Sequence, residues 1–152
     1  MVRYSFGEID SKTMARAYGK ELDMSPKHAV EIARTLRGMI LKNAQDYLIK
    51  VIRQEKAVPY RKYGSAGHRK GKIGPGGYPT KASRQFLKLL HDVEKNAEIH
   101  IEGEPEHLRI IHLSAYKGER VESQFQRAHG RTSPKMREKV NVEIIVEKVE
   151  EG

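Results

Sequence analysis

The chain has no cysteine among its 152 residues. That excludes a disulfide framework and any thiolate metal site. No stretch approaches the ~20 apolar residues of a membrane span. The opening MVRYSFGEID also lacks the apolar core of a signal peptide. A soluble intracellular protein is therefore expected. Acidic residues are missing from two long stretches. Between Lys56 and Arg84 there are eight Lys and Arg side chains and no Asp or Glu. Between Ser123 and Arg137, SQFQRAHGRTSPKMR, there are four cations, again no acid, and few large apolar residues.

What is present is positive charge, unevenly placed. Lys and Arg number 29 against 20 Asp and Glu, a net charge of +9, and the isoelectric point lies near 9.7. An excess of this size points to a polyanionic partner, nucleic acid or an anionic membrane surface. Glu143, Glu147, Glu150 and Glu151 run the other way at the C-terminus, as a basic face and a separate solvated face would require. The length gives room for one domain, residues 1–152, with a real core.

Apolar spacing predicts an α+β order. VRYSF alternates around Tyr4 and Phe6 and reads as a short first strand. MSPKHAVEIARTLRG supplies a helix with Ser25 as N-cap, Pro26 at the first position and Gly38 past the end. Its buried stripe is Ala29, Ile32, Ala33 and Leu36. NAQDYLIKVIRQ repeats the pattern through Ala44, Tyr47, Leu48, Val51 and Ile52. Residues 56–79 form a basic Gly/Pro-rich loop without periodicity, and loops this long in small domains are usually functional or disordered. Thr80 can cap a third helix whose stripe is Phe86, Leu89, Leu90, Val93 and Ala97. Two strands close the chain. In the first, Leu108, Ile110 and His112 alternate with Arg109, Ile111 and Leu113; the second carries Val140, Val142, Ile144 and Val146. The expected architecture is β-α-α-α-β-β, with helices on one face of a small antiparallel sheet and a projecting hairpin over residues 113–140.

That hairpin has no interior. An arm of roughly a dozen residues at ~3.3 Å each could reach on the order of 40 Å, and an isolated two-stranded ribbon is marginal in water. Lys117, Arg120, Arg127, Arg131, Lys135, Arg137 and Lys139 repel one another along it. Among phosphates the same charges become favourable, with counterion release adding to the gain. A surface loop without order is the plainer alternative. Within the basic loop, Tyr60, Tyr63 and Tyr78 are interleaved with Arg61, Lys62, Arg69, Lys70 and Lys72. Rings beside cations suit RNA, whose unstacked bases lie on aromatic faces; anchoring of the loop onto the domain is the competing role, above all for Tyr78.

Catalytic signatures fail on mechanism. AGHRKGKI approaches a phosphate-binding loop, but Ile73 stands where a hydroxyl must reach magnesium. His100, Glu106 and His107 make a zinc site only on paper, with no thiolates and no i, i+4 His pair on a helix. No serine sits in a nucleophile elbow, and the carboxylates fall on polar helix faces. No enzyme, cofactor or metal is expected.

QRAHGR, Gln126 to Arg131, at the tip of a hairpin that follows three helices, resembles the signature of the large-subunit ribosomal protein L twenty-two family. The likeness extends through MSPKHAVEIARTLRG, AVPYRKYGSAGHRKGK, GGYPTKASRQFLKLL and VNVEIIVE, nearly the whole chain, and the long basic loop matches the archaeal and eukaryotic branch. The resemblance implies a structural component of the cytoplasmic large ribosomal subunit that aids its assembly. Its partners would be large-subunit ribosomal RNA, neighbouring ribosomal proteins and the nascent polypeptide, with no membrane and no small-molecule substrate. The hairpin would thread between RNA segments, and its tip, Arg127, Ala128, His129, Gly130 and Arg131, would line the peptide exit tunnel. RNA contacts are expected from Arg61, Lys62, Tyr63, Arg69, Lys70, Lys72, Lys81, Arg84, Lys117, Arg120, Arg127, Arg131, Lys135 and Arg137. Gly130 allows a tight turn, and Ala128 keeps the tip slim. Glu119 and Glu122 dilute the charge of the outgoing arm. A free RNA-binding regulator is the alternative reading.

Overall fold

The computed structural model describes residues 2–64 and 66–149. Three strands form the main sheet: β1 (Met14–Leu22), β5 (Leu108–Gln126) and β6 (Thr132–Lys148), all antiparallel in the order β1-β6-β5. Helices α1 (Pro26–Leu36), α2 (Leu41–Ile52) and α3 (Thr80–Ile101) supply the rest of the core. Fully buried Ile32, Leu36, Leu48, Phe86, Leu90 and Val93 meet Ile110, Leu113, Val142 and Ile144 of the sheet. The apolar stripes of the three helices are buried as their spacing predicts, except Ile52, which is half-buried. The α+β class with a long β5–β6 hairpin is the architecture expected.

Helix ends follow the sequence in position more than in chemistry. Ser25 occupies the N-cap of α1 in extended conformation with Pro26 after it, yet its hydroxyl makes no capping bond. Thr80 is the first helical residue of α3, with Pro79 in the cap position, so it does not cap. Gly38 lies just past α1 at φ +86°, the left-handed geometry that favours glycine.

The first strand is not where Tyr4 and Phe6 place it. Residues 2–13 carry no strand, and β1 begins at Met14. Its core-facing residues are Ala15, Ala17 and Gly19, too small to print a hydrophobic alternation on the sequence. The rings of Tyr4 and Phe6 lie instead near residues of the sheet: Tyr4 edge-on to Tyr18 at 6.2 Å, Phe6 tilted on His112 at 5.3 Å.

In β5 the expected alternation breaks at Ile111. Ile110 pairs with Val146 and His112 with Ile145, leaving Ile111 as a bulge. Leu113 therefore joins Leu108 and Ile110 in the core, while His112 turns to the opposite face. Both edges of the main sheet are managed. The Gly38–Ile40 linker bonds to Ile110 of β5 at 2.8 and 2.9 Å, and the Asn96 amide donates to the Arg16 carbonyl of β1 at 2.9 Å.

The basic loop is more ordered than its composition predicts. Val58–Pro59 (β2), His68–Arg69 (β3) and Gly74–Gly77 (β4) form a second small sheet in the order β2-β4-β3. Glycine explains how a Pro/Gly segment can do this: a Cβ on Gly76 would lie 2.8 Å from the Val58 carbonyl oxygen, so strands β2 and β4 approach only because it has none.

Candidate nucleic-acid interface

The hairpin leaves the domain at a defined neck. Strand β1 ends at Leu22, opposite Val140. At that level both flanking strands bulge: Gly19 pairs with Val142 and Leu22 with Val140, while Lys117 pairs with Val140 and Arg120 with Glu138. The Glu21 carboxylate accepts the Glu119 amide at 2.9 Å, and the Glu21 amide donates to the Asn141 side-chain oxygen at 2.8 Å. A Cβ on Gly118 would lie 2.8 Å from that carboxylate, so any other residue there would push the Glu21 side chain aside. Beyond the neck, no side chain from Gly118 to Lys139 is buried.

At the tip, the Arg127 amide donates to the Arg131 carbonyl at 2.7 Å. Gly130 has φ +68°, as expected for the turn, and His129 shares the left-handed region at φ +58°. Arg127, Ala128, His129, Gly130 and Arg131 are all exposed.

The other candidate contacts fall into two groups. Lys81, Lys117 and Arg137 line a groove at the root of the hairpin together with Tyr63, Lys27 and Asp23. Asp23 is the hub: Lys81 lies at 3.0 Å, Arg137 at 3.3 Å and Lys139 at 3.9 Å. The hydrogen bond from Lys81, with Arg137 and Lys139 beside it, holds the Asp23 carboxyl below its ordinary value. Glu138 likewise takes Arg120 at 3.2 Å and Lys117 at 3.4 Å. Four of the expected cations thus already share carboxylates within the domain. Arg61, Lys62, Lys70, Lys72 and Arg84 are exposed around the second sheet and the first turn of α3. Arg69 serves that sheet itself, donating to the Gly76 carbonyl at 3.1 Å and covering Tyr78 at 5.1 Å. The contact of Tyr78 thus stays within the loop, whereas Tyr63 carries Lys62 and Lys27 over its ring at 5.5 and 5.7 Å.

Two carboxylates read from the sequence as solvated are buried, each only 1 % exposed. Glu31, on α1, accepts three successive backbone amides of the basic loop: Arg61 at 3.0 Å, Lys62 at 2.8 Å and Tyr63 at 3.1 Å. An internal anion thus sets the loop that displays external cations. Tyr47 helps from α2, donating to the Ala57 carbonyl at 3.0 Å, and burial pushes its phenol up to about 12. Nothing in the spacing of Glu31 separates it from a surface glutamate; its neighbours Ile32 and Ala33 in the buried stripe are the one hint.

Glu143 sits on the sheet face opposite the helices. Its Oε1 lies 2.8 Å from His112 Nε2 and accepts the Ser5 amide at 3.1 Å; the Ser5 hydroxyl bonds the same oxygen. Ser, His and carboxylate meet here, but not as a relay. One imidazole nitrogen faces both the serine oxygen, at 3.3 Å, and the carboxylate, whereas a triad needs the base between nucleophile and acid through its two nitrogens. The cluster pins residues 4–6 to the sheet. Burial pushes the Glu143 carboxyl up, but the bonds from Ser5 and His112 outweigh it and hold the group below its ordinary 4.5. A lowered carboxyl contributes stability that is complete above its unfolded value and is lost as pH falls through the folded one. The pinning should hold at neutral pH and release only below about pH 4.5. Amide exchange at Ser5 across an acid titration checks this; protection that survives to pH 2, or vanishes at pH 6, would exclude it.

Among the described residues no three His, Asp or Glu side chains gather as a metal site, and no helix among them is long and apolar enough to cross a membrane. The family model described as Ribosomal protein L22p/L17e matches residues 17–147. The protein named large ribosomal subunit protein uL22 of Methanoculleus marisnigri is 42% identical over 144 residues, covering 93% of this chain and 94% of its own. Those of Ignicoccus hospitalis and Methanococcus aeolicus are 42% and 43% identical, over 94% and 92% of this chain and 93% of each of theirs. The chain belongs to the ribosomal protein L22p/L17e family.

Proposed function

We propose that this protein is a structural constituent of the cytoplasmic large ribosomal subunit that binds its ribosomal RNA, helps hold the RNA together during assembly, and performs no catalytic step. The globular part would rest on RNA through Arg61, Lys62, Tyr63, Arg69, Lys70, Lys72, Lys81 and Arg84. The hairpin would penetrate between RNA segments through Lys117, Arg120, Arg127, Arg131, Lys135 and Arg137, with 127–131 facing the exit tunnel and the nascent chain. Neighbouring ribosomal proteins complete its surroundings.

One observation carries this reading. A two-stranded ribbon of some twenty residues projects from the domain with no buried side chain and few anions. Such a ribbon gains little from folding on itself and much from phosphates that neutralise it. The carboxylates at its root fit the same picture: Asp23 and Glu138 occupy cations close to the domain, leaving Arg127, Arg131 and Lys135 uncommitted to any acidic partner in the described structure.

A tagged copy produced in its own cells should sediment through a density gradient in constant ratio to large subunits, and remain with them at elevated salt. A free RNA regulator would stay near the top of the gradient. That outcome would overturn the proposal.

A further inference from the structure

The two faces of the hairpin ribbon are chemically different, and one holds an aromatic ring that the domain does not use. Residues directly opposite in an antiparallel pair project to the same side. Val121 with Arg137, Ser123 with Lys135 and Phe125 with Ser133 therefore share one face. Arg120 with Glu138, Glu122 with Met136, Gln124 with Pro134 and Gln126 with Thr132 share the other. The first face carries two cations and no acid along the ribbon; Arg127 joins them by reaching back to the Ser133 hydroxyl at 3.4 Å. The second has one cation against two carboxylates. Phe125 stands in the middle of the cationic face, 45 % exposed. Lys135 lies over its ring at 4.9 Å and Arg127 at 5.6 Å.

What sets this ring apart is not its exposure but its setting, a partly open aromatic face between two cations with no acid on that side of the ribbon. Building on the RNA-binding reading above, we infer that Phe125 is a stacking platform for one unpaired RNA base, with Arg127 and Lys135 taking the phosphates on either side of that nucleotide. An exposed cation–π contact is weaker than base–aromatic stacking. A base can therefore displace one cation from the ring toward the adjacent phosphate, exchanging the cation–π contact for stacking and an ion pair. The ribbon then meets RNA through its Val121–Phe125–Lys135 side and turns Gln124, Gln126 and Thr132 away from it.

The test uses the full chain and two probes of equal length: an adenylate dodecamer and a ribose-phosphate dodecamer lacking bases. Phe125→Leu should lose roughly 5- to 150-fold in affinity for the adenylate probe, lose little for the abasic one, and leave the salt slope of both unchanged. Phe125→Trp should restore binding, and its indole, the sole one in a chain without tryptophan, should be quenched by the adenylate probe alone. Equal losses on both probes, or none on either, would overturn the platform. A shallower salt slope in Phe125→Leu would also overturn it, because the ring would then serve only to position Arg127 and Lys135. Failure of the unaltered chain to bind either probe would sink the RNA-binding reading itself, a different result from all of these.

Discussion

Glu31→Gln should loosen the basic loop as a unit and lower the stability of the whole protein by about 2 kcal/mol or more. Each hydrogen bond to a charged acceptor contributes ~1.5–3 kcal/mol. Three converge on this carboxylate, non-additively, because they share one group and one strip of backbone. The amide of the glutamine presents at most one oxygen and turns its own N–H groups toward the remaining donors. Arg61 and Lys62 are exposed enough for water to repair part of the loss, which keeps the figure below a simple sum. Amide exchange locates the effect: Arg61, Lys62 and Tyr63 should lose protection, while Ile145 and Val146 of the central strand keep theirs relative to global stability. An unchanged denaturation midpoint with loop amides still protected would show that β2, β3 and β4 hold the loop without Glu31.

Shortening the hairpin should have the opposite profile, little effect on folding and a large one on binding. Joining Arg120 to Glu138 through an Asn-Gly turn removes residues 121–137, none of them buried. The melting temperature should move by no more than a few degrees, the usual range for surface changes. Arg127, Arg131, Lys135 and Arg137 are lost as phosphate contacts. At ~0.7–0.9 per contact, the slope of log affinity against log salt for large-subunit ribosomal RNA should fall by about 3 to 4. Loss of cooperative melting in the shortened chain would show that the ribbon supports the domain, and an unaltered slope would remove the tip from the RNA interface.

These two expectations depend on features of unequal visibility in the sequence. The helices were legible because Ile32, Leu36, Leu48, Phe86 and Val93 recur at helical spacing around strong hydrophobic contrast. The last strand was legible for the same reason at period two. The first strand was hidden because Ala15, Ala17 and Gly19 bury little area and so leave no pattern, whereas Tyr4 and Phe6 alternate conspicuously without pairing. The bulge at Ile111 is a choice of register made by the partner strand, which β5 alone does not encode. In the candidate interface, the tip was legible from Gly130 and its flanking arginines. The carboxylates that tether Lys81, Arg120 and Arg137 were not, since Asp23 lies 58 residues from Lys81 and 114 from Arg137, and Glu138 lies 18 from Arg120. Phe125 is a lone ring in a polar segment, without a periodic partner to mark it. Only the cross-strand register brings Lys135 to the ring beside Arg127.

The neck between β1 and the hairpin gives the ribbon the mechanics of a cantilever. Everything beyond Gly118 is held at one end, where two bulges and the Glu21 carboxylate fix the direction in which it leaves. From there to Arg127 is ~30 Å at the rise of an extended strand, so a rotation of two degrees at the clamp moves the free end by about 1 Å. Aim is therefore decided at the root, and a small change at position 21 or 118 would steer the far end while leaving the tip residues themselves intact.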